Sequence, residues 1–301
     1  MYRFLRAVGW RALLGAAAVS AMCGALADVG HGQPAAHRLT ASDPAPSSTF
    51  MYASGTHHYR ITSVDTRTQD QAGGRAPFEF STTTTQFVTL TLASRARDTL
   101  ALTLILDSVA VTSTLDAPAP DVQSFRGARM EGTISPQGRV YLFAPAAGET
   151  DHTKIALYRA FGRFLAVVPA QLGPGTTWSD TTSDAFKRGE FDIKTSTVTN
   201  SKVTGDTTVA GQHAWRVERS AVVSTSGEGM EKDKPIHLVA DGTIRTVQLL
   251  TASGVYLGST GTQTSRLQMS MVESAGGMSA PIQEVIRSTV EALPVGGSAG
   301  Q

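Results

Sequence analysis

The stretch "FEFSTTTTQFVTLTL", residues 78 to 92, is written in period two. Phe78, Phe80, Val88, Leu90 and Leu92 share one parity, while Glu79, Ser81, Thr83, Thr85, Thr89 and Thr91 hold the other. Successive side chains of a strand point to opposite faces, whereas a helix brings a face round every three or four residues. A run this long therefore demands a strand with one dry and one wet side, as in antiparallel sheets. Threonine suits the wet side because β-branched residues fit the pleat. Phe87 is the exception, an aromatic among the polar positions.

The run at 99–115 constrains the fold further. Leu100, Leu102, Leu104 and Leu106 lie on one parity, and the apolar phase then switches to Val109 and Val111. Period two cannot change phase without an extra residue, so a bulge is expected near Asp107-Ser108, and bulges bend sheets. Further strands are expected at 56–69, 139–143, 190–198, 212–223, 237–250, 255–258, 263–272 and 282–293. In "QHAWRVERSAVV", Trp215, Val217, Ala221 and Val223 alternate with Arg216, Glu218 and Ser220. "GDTTVAGQ" and "SGEGMEKDKP" read as hairpin turns, since neither carries a Lys-Ser/Thr at phosphate-loop spacing.

One segment breaks the pattern. Ile155, Tyr158, Phe161, Leu165 and Val168 recur every three or four residues, which predicts a helix with Asp151 at its start and Pro169 as its stop. Gly173-Pro174-Gly175 then makes a turn by composition, and Trp178 opens a second run of strands. The expected fold is mainly β: curved antiparallel sheets in two related halves, 50–168 and 169–293, with one connecting α-helix. "GTISPQGRVYL" (132–142) and "GTIRTVQLLTASGVYL" (242–257) share short elements that make a duplication plausible.

Residues 1–27 carry Arg3, Arg6 and Arg11 with no acid, then an uncharged Ala-rich run ending Ala25-Leu26-Ala27, the layout of a secretory signal peptide cleaved before Asp28. The rival, lipoprotein anchoring at Cys23, fits less well because Met22 precedes it. Cleavage removes the single cysteine, so the remaining chain has no disulfide. It also leaves 23 of the 26 basic residues against 25 acids. The balance is then slightly acidic, with no field to gather nucleic acid. Residues 28–49 read as a disordered linker and 294–301 as a flexible tail. No transmembrane segment is expected after cleavage.

Little in the sequence reads as chemistry. His57-His58 cannot easily chelate one ion, because neighbours on a strand face opposite ways. "STSGEG" (224–229) lacks the leading glycine and following helix of a nucleophile elbow. No cofactor, metal site or catalytic residue is expected. Trp178 and Asp180 in "LGPGTTWSDTTSD" fit either a stacking platform with a polar hook, or a joint between the halves. Phe78, Phe80, Leu100, Leu102 and Leu104 fit either the lining of an apolar groove, where each buried CH₂ contributes roughly 0.8 kcal/mol, or a closed core.

The order of features resembles that of uncharacterised exported bacterial β-rich proteins, a family of unknown function. The resemblance lies in the helix ending in proline, the element Pro174-Gly175-Thr-Thr-Trp178-Ser-Asp180 and the second run of strands. It implies architecture and no activity; periplasmic lipoprotein-localisation factors are curved-sheet carriers comparable by analogy alone. The expected function is an exported, non-catalytic cell-envelope role, binding a lipid or other apolar ligand or serving as a scaffold for an envelope protein. The alternative is a secreted hydrolase or carbohydrate-binding protein using Trp178 and Asp180.

Overall fold

The computed structural model describes residues 48–70, 76–95, 98–115, 122–148, 151–162, 164–188, 191–231, 234–271 and 281–294. The expected signal peptide, the linker as far as residue 47 and the tail from residue 295 lie outside the described residues.

The protein is mainly β. The first run comprises β1 (Ser48–Thr49), β2 (Gly55–Gln69), β3 (Phe78–Arg95), β4 (Thr99–Ser113), β5 (Arg129–Ile134) and β6 (Val140–Pro145). Helix α1 (Asp151–Phe161) follows. The second run is β7 (Gln171–Leu172), β8 (Thr177–Arg188), β9 (Phe191–Val209), β10 (Gln212–Glu231), β11 (Lys234–Thr251), β12 (Tyr256–Met271) and β13 (Ile282–Ala292). Eleven strands form one antiparallel sheet in the order β6-β5-β4-β3-β2-β13-β12-β11-β10-β9-β8, and β1 pairs with β7 separately. Each half is a meander of hairpins, and the halves join where β2 pairs with β13. The sheet does not close: its edges, β6 and β8, are the two strands that α1 links.

The phase switch in β4 is a bulge. Phe87 pairs with Ser108 and Val88 with Leu106, so Asp107 is the extra residue. Its carboxylate accepts a 2.7 Å hydrogen bond from the Thr89 hydroxyl. The insertion lets Leu100 to Leu106 and then Val109 and Val111 face the same side despite opposite parities.

That side, the inner face, holds the core at one end of the sheet. Leu100, Leu102, Leu104 and Leu106 are all buried, with Val88, Leu90, Met130 and Ile134 around them. Helix α1 covers them with Leu157, Ala160 and Phe161, and the Phe161 ring lies 3.8 Å from that of Phe143. Full burial of each leucine is worth about 1.5–3 kcal/mol. The helix is shorter than its apolar spacing suggests, stopping at Phe161 rather than continuing to Val168. Gly162 ends it, its N–H donating to the Tyr158 carbonyl, as glycine commonly does just past a helix.

Beyond the helix the chain runs on through residues 164–169, buried apart from a half-buried Val167. Phe164 lies between Tyr59 and Tyr256, at 4.8 and 5.7 Å. The segment's own carbonyls are held by the sheet and by the irregular stretch between β1 and β2. Gln248 Nε2 donates to the Phe164 carbonyl at 3.1 Å. The Tyr52 hydroxyl donates to the Ala166 carbonyl and accepts from its N–H, at 2.9 and 3.1 Å. Residues 50–53 are pinned in turn by bonds to Ala170, Pro136 and Gly254. Gly254 has φ +87°, and a Cβ there would sit on the Met51 carbonyl oxygen, so only glycine fits. Helix, following segment and N-terminal strand together plug one end of the inner face.

Other expectations need adjusting. β5 was not anticipated, β8 begins at Thr177 beside the expected start at Trp178, and β12 is one strand rather than two, although Gly258 (φ +143°) kinks its pairing. Residues 226–231, read as a turn, extend β10; Gly227 lies against Ile193, where a Cβ would come within 3.2 Å of it. Ser48 and Thr49, expected in the linker, pair with β7. Both "GTI" elements do lie in hairpins, but Tyr141 is 54% exposed and Tyr256 3%, so the tyrosines of the two segments are not equivalent.

Candidate binding face

Past the plug the inner face changes character. The cross-strand row Trp178, Ser201, Arg219, Thr246, Gly261, Ser288, Ser63 is followed by Asp180, Thr199, Ala221, Ile244, Gln263, Ile286, Asp65. Hydroxyls and charges now share the face with aliphatic residues. A cavity of about 1040 Å³ follows the first of these rows across seven strands, its remaining lining residues flanking the row on each strand.

All five buried side-chain atoms without a hydrogen-bond partner among the described residues lie on this same face: Asp65 Oδ1, Trp215 Nε1, Arg219 Nε, Gln248 Oε1 and Gln263 Nε2. Leaving such a group unpaired costs roughly 1–3 kcal/mol. Arg219 is the most consequential of them. Burial lowers its pKa, and the nearby Tyr52, Asp180 and Tyr256 act in the opposite direction. Burial also pushes the Tyr52 hydroxyl up to about 12 and raises that of Tyr59.

A second polar group marks the seam between the halves. Arg67 on β2 donates through Nε to Glu284 Oε1 on β13 at 2.9 Å and through Nη2 to Asp65 Oδ2 at 2.7 Å. Ser265 donates to the other Glu284 oxygen at 3.2 Å. The Arg67 and Glu284 side chains are 6% and 2% exposed. Breaking a buried pair by removing one partner is strongly destabilising, so this trio ties the first sheet strand to the last.

The residues singled out from sequence separate into three places. Leu100, Leu102 and Leu104 belong to the sealed core beneath α1 and have no open surface to offer a ligand. Phe78 and Phe80 lie on the inner face at its far end, half-buried, their rings 5.8 Å apart and Phe80 5.9 Å from the Arg67 guanidinium. Trp178 is 3% exposed and its Nε1 donates to the Val167 carbonyl at 2.8 Å, so it braces the joint to the plug while forming one wall of the cavity. Asp180 is half-buried one position further along β8 on the same face. The structure thus groups Trp178 and Asp180 with Arg219, and Phe78 and Phe80 with Arg67.

Arg67, Arg219, Gln263 and Glu284 escaped sequence reasoning, although the signal was present. Arg219 occupies the apolar parity of Trp215, Val217, Ala221 and Val223, and Glu284 that of Ile282, Ile286 and Val290. A charge in phase with the dry positions marks a face that is not wholly dry. His57 and His58 do face opposite ways: His57 lies beside Tyr59, at 6.4 Å, with its pKa lowered by burial and then by His58, while His58 bonds to the Thr89 hydroxyl. Among the described residues no cluster of three or more His, Cys, Asp or Glu could hold a metal, and no helix is long and apolar enough to cross a membrane.

No family model matches the chain, and no curated protein matches it. Solved structures give distant likenesses. Neisserial surface protein A is 6% identical, with 79% of this chain and 98% of that one covered and a TM-score of 0.19. OccK8 (OprE) of Pseudomonas aeruginosa is 8% identical, with 79% and 98% covered and a TM-score of 0.21. A DUF1329 family protein from Desulfovibrio piger is 10% identical, with 81% and 88% covered and a TM-score of 0.19. TM-scores this low carry no argument about function.

Proposed function

We propose that the chain is an exported, non-catalytic protein of the cell envelope that binds an amphiphilic ligand on the uncovered part of its inner face. One observation carries this reading. Phe78, Phe80, Val109, Val111, Thr84 and Ser288 share the inner face with the sealed core, yet all six are only half-buried, because the plug covers one end of the sheet. A soluble sheet normally buries its dry side against another layer. Here that layer stops short, and the uncovered remainder mixes rings and aliphatic groups with hydroxyls and charged side chains. An acyl chain suits the former at roughly 0.8 kcal/mol per CH₂, and a polar head suits the latter. Export rests on the basic, Ala-rich start of the chain.

The carbohydrate or hydrolase reading loses ground on geometry. A stacking platform needs an open ring face, and Trp178 is buried with its indole N–H already bonded to Val167.

The test is to produce the protein in an exporting bacterial host, purify it without detergent and identify released small molecules by mass spectrometry. A near-stoichiometric amphiphile is expected. Protein that emerges empty and also fails to take up an added long-chain amphiphile would overturn the reading and leave a scaffold role, for which edge strand β6 with its exposed Tyr141 and Leu142 is the available surface.

A further inference from the structure

The geometry points to a specific head-group chemistry: we infer that Arg219, with the hydroxyls of Thr246 and Ser288, forms a cradle for a monoanionic oxyacid head, a carboxylate or phosphodiester carried on an apolar tail. The inference rests on the ligand-binding reading above and narrows it.

The cradle is built on one row of the sheet. Arg219 on β10 is directly paired with Thr246 on β11, Thr246 with Gly261 on β12, and Gly261 with Ser288 on β13. All four line the same cavity. Gly261 supplies the opening. A Cβ at that position would stand 3.2 Å from Thr246 Oγ1 and 3.3 Å from Ser288 Oγ, so the two hydroxyls converge over the space its missing side chain leaves. Neighbouring strands are about 4.8 Å apart, which brings Gly261 within the span of an extended arginine side chain starting two strands away.

Arg219 provides the charge, and its Nε is buried with no partner. A guanidinium offers five donors in a fixed fork that matches planar oxyanions. An oxyanion seated over Gly261 would accept from the fork on one side and from hydroxyls on the other, and charge-assisted bonds of this kind are the stronger ones. Arg219 is the cation this row turns inward, since Lys202, Arg245 and Arg287 at the cavity's border are exposed and of the opposite parity; with Asp180 on the next row acting on it, this favours one negative charge over two. The aliphatic residues Ile244 and Ile286 of the following row leave the tail a partly apolar path.

Isothermal titration of the full exported chain with palmitate and with hexadecanol, both below their aggregation limits at neutral pH, compares an anionic head with a neutral one on the same tail. Palmitate is expected to bind at least tenfold more tightly. Arg219→Gln should erase that preference, and Arg219→Lys should retain part of it. Gly261→Ala should weaken palmitate several-fold by filling the cradle without altering charge. Acetate should not displace palmitate at comparable concentration; if it does, the site takes a free anion and the tail plays no part, which overturns the inference. Equal binding of acid and alcohol by the wild-type chain, which needs no variant to fold, would overturn it while leaving the ligand-binding reading intact. Binding of neither would overturn both.

Discussion

Tyr52 shows how much one side chain can organise. Its hydroxyl meets both the carbonyl and the N–H of Ala166, satisfying two backbone groups in a segment with no regular ladder of its own. Phenylalanine at this position keeps the ring contact with Phe50 and leaves both groups unpaired. Tyr52→Phe is therefore expected to lose about 1–3 kcal/mol, measured as a lower urea midpoint with an unchanged slope; an unchanged midpoint would mean that the plug is held by apolar contacts alone. Individual residues were the least legible scale in the sequence. Leu100, Leu102 and Leu104 read equally well as groove or core, because alternation reports which face a residue joins and not what covers that face. Arg219 and Glu284 sat in apolar phase, a local conflict of the kind that often accompanies function, and their partners could be named only once distant strands were paired.

Elements were read more securely where the pattern was long. The Phe78–Arg95 strand and the β4 bulge follow from parity alone, and the structure places the extra residue at Asp107. Deleting Asp107 would turn Val109 and Val111 to the wet side or force a new register against β3. The deletion is expected to destabilise the protein by about 2–3 kcal/mol, the upper part of the usual range for a single change, read from chemical denaturation; full stability would show that the phase switch is not what aligns the two leucine and valine runs. Elements whose inner positions are polar are legible only in part. The start of β8 is marked by Trp178, but the strand then presents Asp180, Thr182 and Asp184 inward, so no apolar period traces its length. The helix was drawn too long because Pro169 was a conspicuous stop and Gly162 a quieter one. Residues 164–169 keep their apolar character because they pack into the plug as an extended segment, not because they are helical.

At the scale of the whole molecule, the decisive feature lay beyond any local pattern. Two meanders share one sheet because the first long strand pairs with the last, and a buried Arg67–Glu284–Asp65 trio sits on that seam. Joining the chain's outer strands leaves the mid-chain strands β6 and β8 as open edges, and the connection between them must cross the inner face. Its short helix and extended tail cover one end only. The sealed half and the half-open half of a single face are thus consequences of topology, and the proposed binding role depends on that difference.

Cysteine labelling measures it directly, since the chain from Asp28 onward contains no cysteine of its own. Single substitutions Ser288→Cys and Val111→Cys on the uncovered part, and Leu104→Cys in the sealed part, would be reacted with a maleimide under native conditions. Rapid modification at 288 and 111, with Leu104→Cys reacting only after unfolding, is the predicted result; equal protection at all three positions would contradict it.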